Sequence, residues 1–196
     1  MKKLLLGIAA VCLAGFTFAQ DAPLWMRHSV ISPDGTTIAF TYKGDIYTVP
    51  VAGGRAMQIT TNPAYDTAPV WSPDSKRIAF ASDRMGSLDV YIVAKDGGEP
   101  RRLTTHSGSE TPLAFTDAGH VLFSAGIMPS AEAVVFPSNG QFNQVYRVSV
   151  EGGRPTMISS MPMECISINK EGAMLYQDKK GYEDYLSLIH ISEPTR

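Results

Sequence analysis

The chain has 196 residues, 44% of them hydrophobic and 18% charged, a balance that suits a packed globular protein and excludes wholesale disorder. Its formal net charge is −2, and loss of the N-terminal Lys2 and Lys3 would leave the remainder more acidic. That balance disfavours nucleic acid or an anionic membrane surface as the main partner.

Chain order begins with Met1-Lys2-Lys3 and an apolar run from Leu4 to Phe18, closed by Thr17-Phe18-Ala19 before Gln20. A basic start, a short apolar core and small residues two apart predict a secretory signal peptide over 1–19, and hence export to the periplasm. The run is too short for a comfortable membrane span and no later segment approaches the needed length, so no span is expected after cleavage. Cys12 lies in the apolar core behind Val11, a poor lipoprotein junction. Cleavage leaves Cys165 alone, so no intramolecular disulfide is expected, and Cys165 reads as a small buried hydrophobe.

One pattern then recurs along the chain. Its first copy runs Ile31-Ser32-Pro33-Asp34-Gly35, Ile38-Ala39-Phe40, Asp45-Ile46-Tyr47-Thr48-Val49, Gly53-Gly54 and Gln58-Ile59-Thr60. The second runs Trp71-Ser72-Pro73-Asp74, Ile78-Ala79-Phe80, Asp89-Val90-Tyr91-Ile92-Val93, Gly97-Gly98 and Arg102-Leu103-Thr104. The third is Phe115-Thr116-Asp117, Val121-Leu122-Phe123, Val145-Tyr146-Arg147-Val148, Gly152-Gly153 and Met157-Ile158-Ser159. A fourth opens at Ile166 to Glu171 with Met174-Leu175-Tyr176 and stops.

Each copy holds four apolar segments of three to five residues, too short for helices and rich in residues that favour strands. Pro33-Asp34-Gly35 and Pro73-Asp74 supply the chemistry of a turn between the first and second strands. The glycine pairs Gly53-Gly54, Gly97-Gly98 and Gly152-Gly153 supply the positive φ of a tight return into the fourth strand. Pro33 and Pro73 are 40 residues apart, within the 40 to 45 of a four-stranded propeller blade. Runs such as Ile78-Ala79-Phe80 are continuously apolar, as expected of sheets covered on both faces. The predicted fold is all-β: a β-propeller of four-stranded antiparallel blades, with about three and a half blades present and the ring incomplete. Blades are expected near 27–61, 66–105, 109–160 and 163–185 within a partial propeller over 20–185.

The third copy carries an insert between its second and third strands, from about Gly126 to Asn143. Val134, Val135, Phe136 and Phe142 make it apolar for a loop, so they are the candidate contacts for a substrate or a docking domain. Packing across a blade edge is the other reading. Residues 186–196, from Leu186 to Arg196, fit no copy of the repeat and look like the translation of a transposon-end sequencing adapter; they are expected to be an artefact of sequencing.

The recurring Asp34, Asp74, Asp45 and Asp89 read as caps on turn amides, because a catalytic pair is rarely duplicated in every repeat. Ser82-Asp83-Arg84 reads as solvated or turn-stabilising. His106, Glu110, Asp117 and His120 follow no standard metal spacing and read as exposed turn polars. Tyr47, Tyr91 and Tyr146 share one repeat position and read as core or blade-interface aromatics. No nucleophile stands in a catalytic context, so neither catalytic residues, a metal nor a cofactor is expected of this segment.

Ser-Pro-Asp-Gly, Ile-Ala-Phe, Asp-Ile-Tyr and Gly-Gly together resemble the propeller repeats of TolB-like periplasmic proteins. Ala22-Pro23-Leu24-Trp25, Tyr42 to Tyr47, Phe80 to Arg84 and Asp178 to Asp184 resemble the opening of exported tricorn-type serine peptidases, over roughly residues 20 to 184. The resemblance implies further blades, a PDZ-like domain and a Ser/Lys protease domain downstream, with peptide or protein substrates gated or docked by the propeller. It carries over no catalytic residue to any position of this chain. A stand-alone TolB-like binding propeller and the propeller of a prolyl-oligopeptidase-type enzyme are the alternatives.

Overall fold

In the computed structural model, the described residues are 25–126, 143–160, 163–169, 172–178 and 189–192. The expected signal peptide and most of the third-blade insert lie outside them. The first sheet contains β1 (Arg27–Ile31), β2 (Thr37–Tyr42), β3 (Asp45–Pro50) and β4 (Met57–Gln58). The second contains β5 (Asp66–Trp71), β6 (Arg77–Ser82), β7 (Asp89–Ala94) and β8 (Arg101–Arg102). The third contains β9 (Glu110–Asp117), β10 (His120–Ala125), β11 (Gln144–Ser149) and β12 (Thr156–Ser159). The fourth contains β13 (Met163–Ile168), β14 (Met174–Asp178) and β15 (Ile189–Ser192). Every sheet is an antiparallel meander in chain order, so each is one blade.

The strands form where β-branched and aromatic residues cluster, and turn residues end them. Ser32 shows how one turn closes: Gly35 N–H donates to the Ser32 carbonyl at 2.8 Å, and Ser32 Oγ donates to Asp34 Oδ1 at 2.6 Å. Asp34 Oδ1 also accepts the Thr36 N–H at 3.0 Å, and Ser32 Oγ accepts the Thr37 N–H at 3.0 Å. Gly35 takes φ +72°, a left-handed value that a side chain would strain. Blade two places Ser75 at the equivalent position with φ +57°. Its hydroxyl accepts the Asp34 N–H of the preceding blade at 3.1 Å, a bond that offsets the strain.

Cross-strand registers superpose from blade to blade. Phe40 pairs with Tyr47, Phe80 with Tyr91 and Phe123 with Tyr146. The three ring pairs stack with centroids 5.8, 6.0 and 5.7 Å apart. Each such pair contributes about 0.5–1.5 kcal/mol beyond its buried area. The blades pack through two apolar clusters. One joins Ala39, Ile46 and Ile59 of blade one to Trp71, Ile78 and Phe80 of blade two. The other joins Ala79, Val90 and Leu103 of blade two to Phe115, Val121 and Phe123 of blade three. Trp71 Nε1–H donates to the Val30 carbonyl at 3.2 Å and fixes the first of these junctions.

Inner strands carry a feature that composition does not reveal. Their pairing with the second strands slips between Arg27 and Val30, between Thr67 and Val70, and between Glu164 and Ser167. Inside each bulge sits a non-glycine residue with positive φ: His28 at 50°, Ala68 at 51° and Cys165 at 50°. Blade three has Pro112 at that position, whose ring forbids positive φ; of its two slips, one falls between Pro112 and Ala114 and the other between Phe115 and Asp117. Cys165 is exposed, which corrects the buried reading, because the bulge interrupts the in-and-out alternation of β13.

Ile189–Ser192, inside the segment that fits no copy of the repeat, forms β15. Alternating Ile189 and Ile191 pair with Gln177 and Leu175 along β14, adding a third strand to blade four. β14 offers an open edge, and Ile-His-Ile-Ser has the propensity to fill it.

Candidate functional site

The starts of first and third strands and the ends of second and fourth strands lie at the same end of each meander. At that end the blades concentrate buried polar side chains. Asp66, Ser82, Asp89 and Glu110 are all 0% exposed, and Thr60 and Thr104 are 2% exposed.

Three arrangements build this end. In blade one, Asp45 opens β3, accepting a hydrogen bond from Gln58 Nε2 at 3.0 Å and one from Thr60 Oγ1 at 3.2 Å. Thr60 Oγ1 accepts the Ile46 N–H at 3.0 Å. Blade two repeats the frame with charge: Thr104 Oγ1 accepts the Val90 N–H at 2.9 Å, and Arg102 replaces Gln58, its Nη2 2.9 Å from Asp89 Oδ2. Among the described residues, neither Asp89 oxygen has a hydrogen-bond partner of good geometry, and burial raises the Asp89 pKa above the ordinary carboxylate value, with Arg102 opposing it. Asp89 is thus a buried ion-pair residue, where the sequence suggested a turn cap.

The third arrangement belongs to Arg84. One of its terminal nitrogens, Nη2, donates to both oxygens of Asp66 at 3.0 Å, and its Nε–H donates to Ser82 Oγ at 2.8 Å. Its guanidinium lies 4.5 Å from the Tyr91 ring centroid and 5.6 Å from that of Phe80. Only 12% of the Arg84 side chain is exposed, so the solvated reading is corrected: the arginine fills the mouth of blade two. Asp83 remains outside, accepting the Tyr65 N–H at 2.8 Å. A cleft lined by Thr60, Asn62, Pro63, Arg84, Glu99 and Pro100 opens beside it.

The four residues considered as a metal cluster separate. Asp117 and His120 pair on the opposite turn, His120 Nδ1 lying 3.0 Å from both Asp117 oxygens. His106 Nδ1 accepts the Gly108 N–H at 3.0 Å. Glu110 is fully buried, which corrects its reading as an exposed polar, because it opens an inner strand facing blade two. Among the described residues, no three His, Cys, Asp or Glu side chains gather in a metal-binding arrangement.

Val134, Val135, Phe136 and Phe142 lie outside the described residues. The insert that contains them is bounded by Ala125 and Gln144, which pair with each other. Ala125 also pairs with Glu110, so the insert leaves and rejoins the sheet at the polar end. The chemistry gathered here is electrostatic: cations tied to carboxylates and hydroxyls tied to backbone amides.

Four-stranded meanders packed side by side through their faces define a β-propeller. Over residues 23–185 the sequence matches the tricorn protease N-terminal beta propeller domain. The chain belongs to that family. It is 35% identical over 102 residues to tricorn protease homolog 1 of Streptomyces coelicolor, covering 52% of this chain and 9% of that protein. It is 30% identical over 129 residues to the uncharacterized peptidase YuxL of Bacillus subtilis, covering 65% of this chain and 20% of that one. The crystal structure of TolB from Acinetobacter baumannii superposes with a TM-score of 0.63 at 18% identity, over 87% of this chain and 44% of that chain, a likeness of fold alone. The chain therefore spans a fifth or less of the peptidase relatives named here.

Proposed function

We propose that this chain is the propeller segment of an exported serine peptidase of the tricorn kind, docking or gating peptide and protein substrates for an active site elsewhere in the parent protein. The observation that carries the reading is the family match over residues 23–185, in a chain whose relatives include proteins named as peptidases. The polar end supports a docking role. Arg84 and Arg102 pair with its buried carboxylates, and the flanks of the insert that contains Val134, Val135, Phe136 and Phe142, Ala125 and Gln144, lie there. Export rests on the N-terminal sequence, whose basic start and apolar core have the form of a signal peptide. The missing partners are then a PDZ-like and a protease domain of the same polypeptide.

Recovery of the native reading frame beyond Tyr185 tests this. The expected result is further blades followed by a peptidase domain with a serine nucleophile. A frame that ends with the propeller would overturn the reading and favour a stand-alone binding module.

A further inference from the structure

Asp66 and Glu110 open the inner strands of successive blades and are equivalent in the repeat. Each ties its blade to the one before: the Asp66 N–H donates to the Gly44 carbonyl at 2.7 Å, and the Glu110 N–H to the Leu88 carbonyl at 2.6 Å. Both side chains are fully buried. Their surroundings differ in one respect. Asp66 has Arg84, which follows β6 and is oriented by Ser82. Alignment of Phe80 with Phe123 puts Ala125-Gly126-Ile127 at the positions of Ser82-Asp83-Arg84. The aligned positions carry neither the guanidinium nor the hydroxyl that orients it, and among the described residues neither Glu110 oxygen has a hydrogen-bond partner of good geometry.

We propose that Glu110 is a proton-controlled latch between blades two and three: protonated, it lets β9 seat on blade two, and ionised, it loosens that junction. A buried carboxylate without a counterion is tolerated as the neutral acid and is costly as the anion. Among the described residues, the elements around β9 bring few groups to offset the charge. Blade two supplies Asp66 from β5, Arg84 after β6, Asp89 from β7, Arg102 from β8, and Thr104 and His106 beyond it; β13 of blade four carries Glu164. Of the two arginines, Arg84 is held by Asp66 and Arg102 lies against Asp89. Burial accordingly pushes the Glu110 carboxyl up to about 7, the Thr104 hydroxyl and Arg102 opposing and Asp89 reinforcing the rise.

The direction with pH follows from linkage. An unfolded glutamate ionises near 4.5 and the folded one near 7, so the folded state alone holds the proton between them. The latch is fully closed below about 4.5, weakens as pH rises through that window, and levels off above about 7.

Amide hydrogen exchange on the full chain at pH 5.5 and pH 8, corrected for intrinsic rates, tests the latch, with the Asp66 N–H as internal control. Protection of the Glu110 N–H is expected to fall at least about tenfold more than that of Asp66 on going to pH 8. Glu110→Gln should remove the difference. Equal pH responses at Glu110 and Asp66 in the unsubstituted chain would overturn the proposal whether or not that variant folds.

Discussion

Arg84 bridges both oxygens of Asp66 with a single nitrogen, at 3.0 Å each, across the mouth of blade two. Asp66 has no exposure to water, so the arginine is its counterion as well as a lid over Phe80 and Tyr91. Arg84→Met should cost about 3–5 kcal/mol, because it leaves a buried charge uncompensated. Adding Asp66→Asn should recover most of that loss. Urea unfolding of the two variants and the double variant checks both expectations, and a double variant no more stable than Arg84→Met would contradict them.

Thr60 and Thr104 occupy one repeat position, and each hydroxyl accepts the N–H of the second residue of the third strand. Valine keeps their volume and removes the acceptor. Thr60→Val and Thr104→Val should each cost about 1–3 kcal/mol. Exposed Thr105→Val should stay within about 0.5 kcal/mol of the unsubstituted chain. Equilibrium unfolding of the three variants measures the contrast.

Ser75 trades backbone comfort for a contact between blades. Ser75→Ala keeps the strained φ and loses the acceptor for the Asp34 N–H, so it should lower stability by about 1 kcal/mol. Ser75→Gly loses the same bond and relieves the strain, so its thermal midpoint should lie above that of the alanine variant.

Asp34 and Asp74 give the turns an acid limit. The Ser32 hydroxyl, followed by the Thr36 amide and hydroxyl, holds the Asp34 carboxyl below its ordinary 3.8; the Ser72 hydroxyl leads the same effect on Asp74. A depressed folded value means that the stabilisation is present above 3.8 and is lost as pH falls through the lower folded value. Asp34→Asn and Asp74→Asn should therefore flatten the acid side of the stability profile. Thermal midpoints taken between pH 5 and pH 2 would show it, and an unchanged slope would contradict it.

What was legible in the sequence was the repeat. Ile-Ala-Phe, Asp-Ile-Tyr and Gly-Gly recur because every blade meets the same backbone demands, and those demands fall on short contiguous segments. The charged junctions were not legible. Arg84 meets Asp66 and Arg102 meets Asp89 across strands, so neither pair leaves a local spacing to read. Asp89 looks like its repeat mate Asp45 in sequence, and only the change from Gln58 to Arg102 signals a different environment. The bulges at His28, Ala68 and Cys165 were equally hidden, since left-handed backbone usually announces itself with glycine. Glu110 had a signal that a repeat alignment carries: the loss of Ser82 and Arg84 at Ala125 and Ile127.

A propeller that serves a peptidase active site elsewhere in its parent protein should act on long substrates more than on short ones. The most direct measurement is kcat/KM of the complete parent enzyme on long unfolded polypeptides and on short peptides, with and without residues 23–185. Deletion should change turnover of the long substrates and leave the short ones nearly unaffected. Equal effects on both, or a parent that hydrolyses no peptide at all, would contradict the proposed role of the propeller.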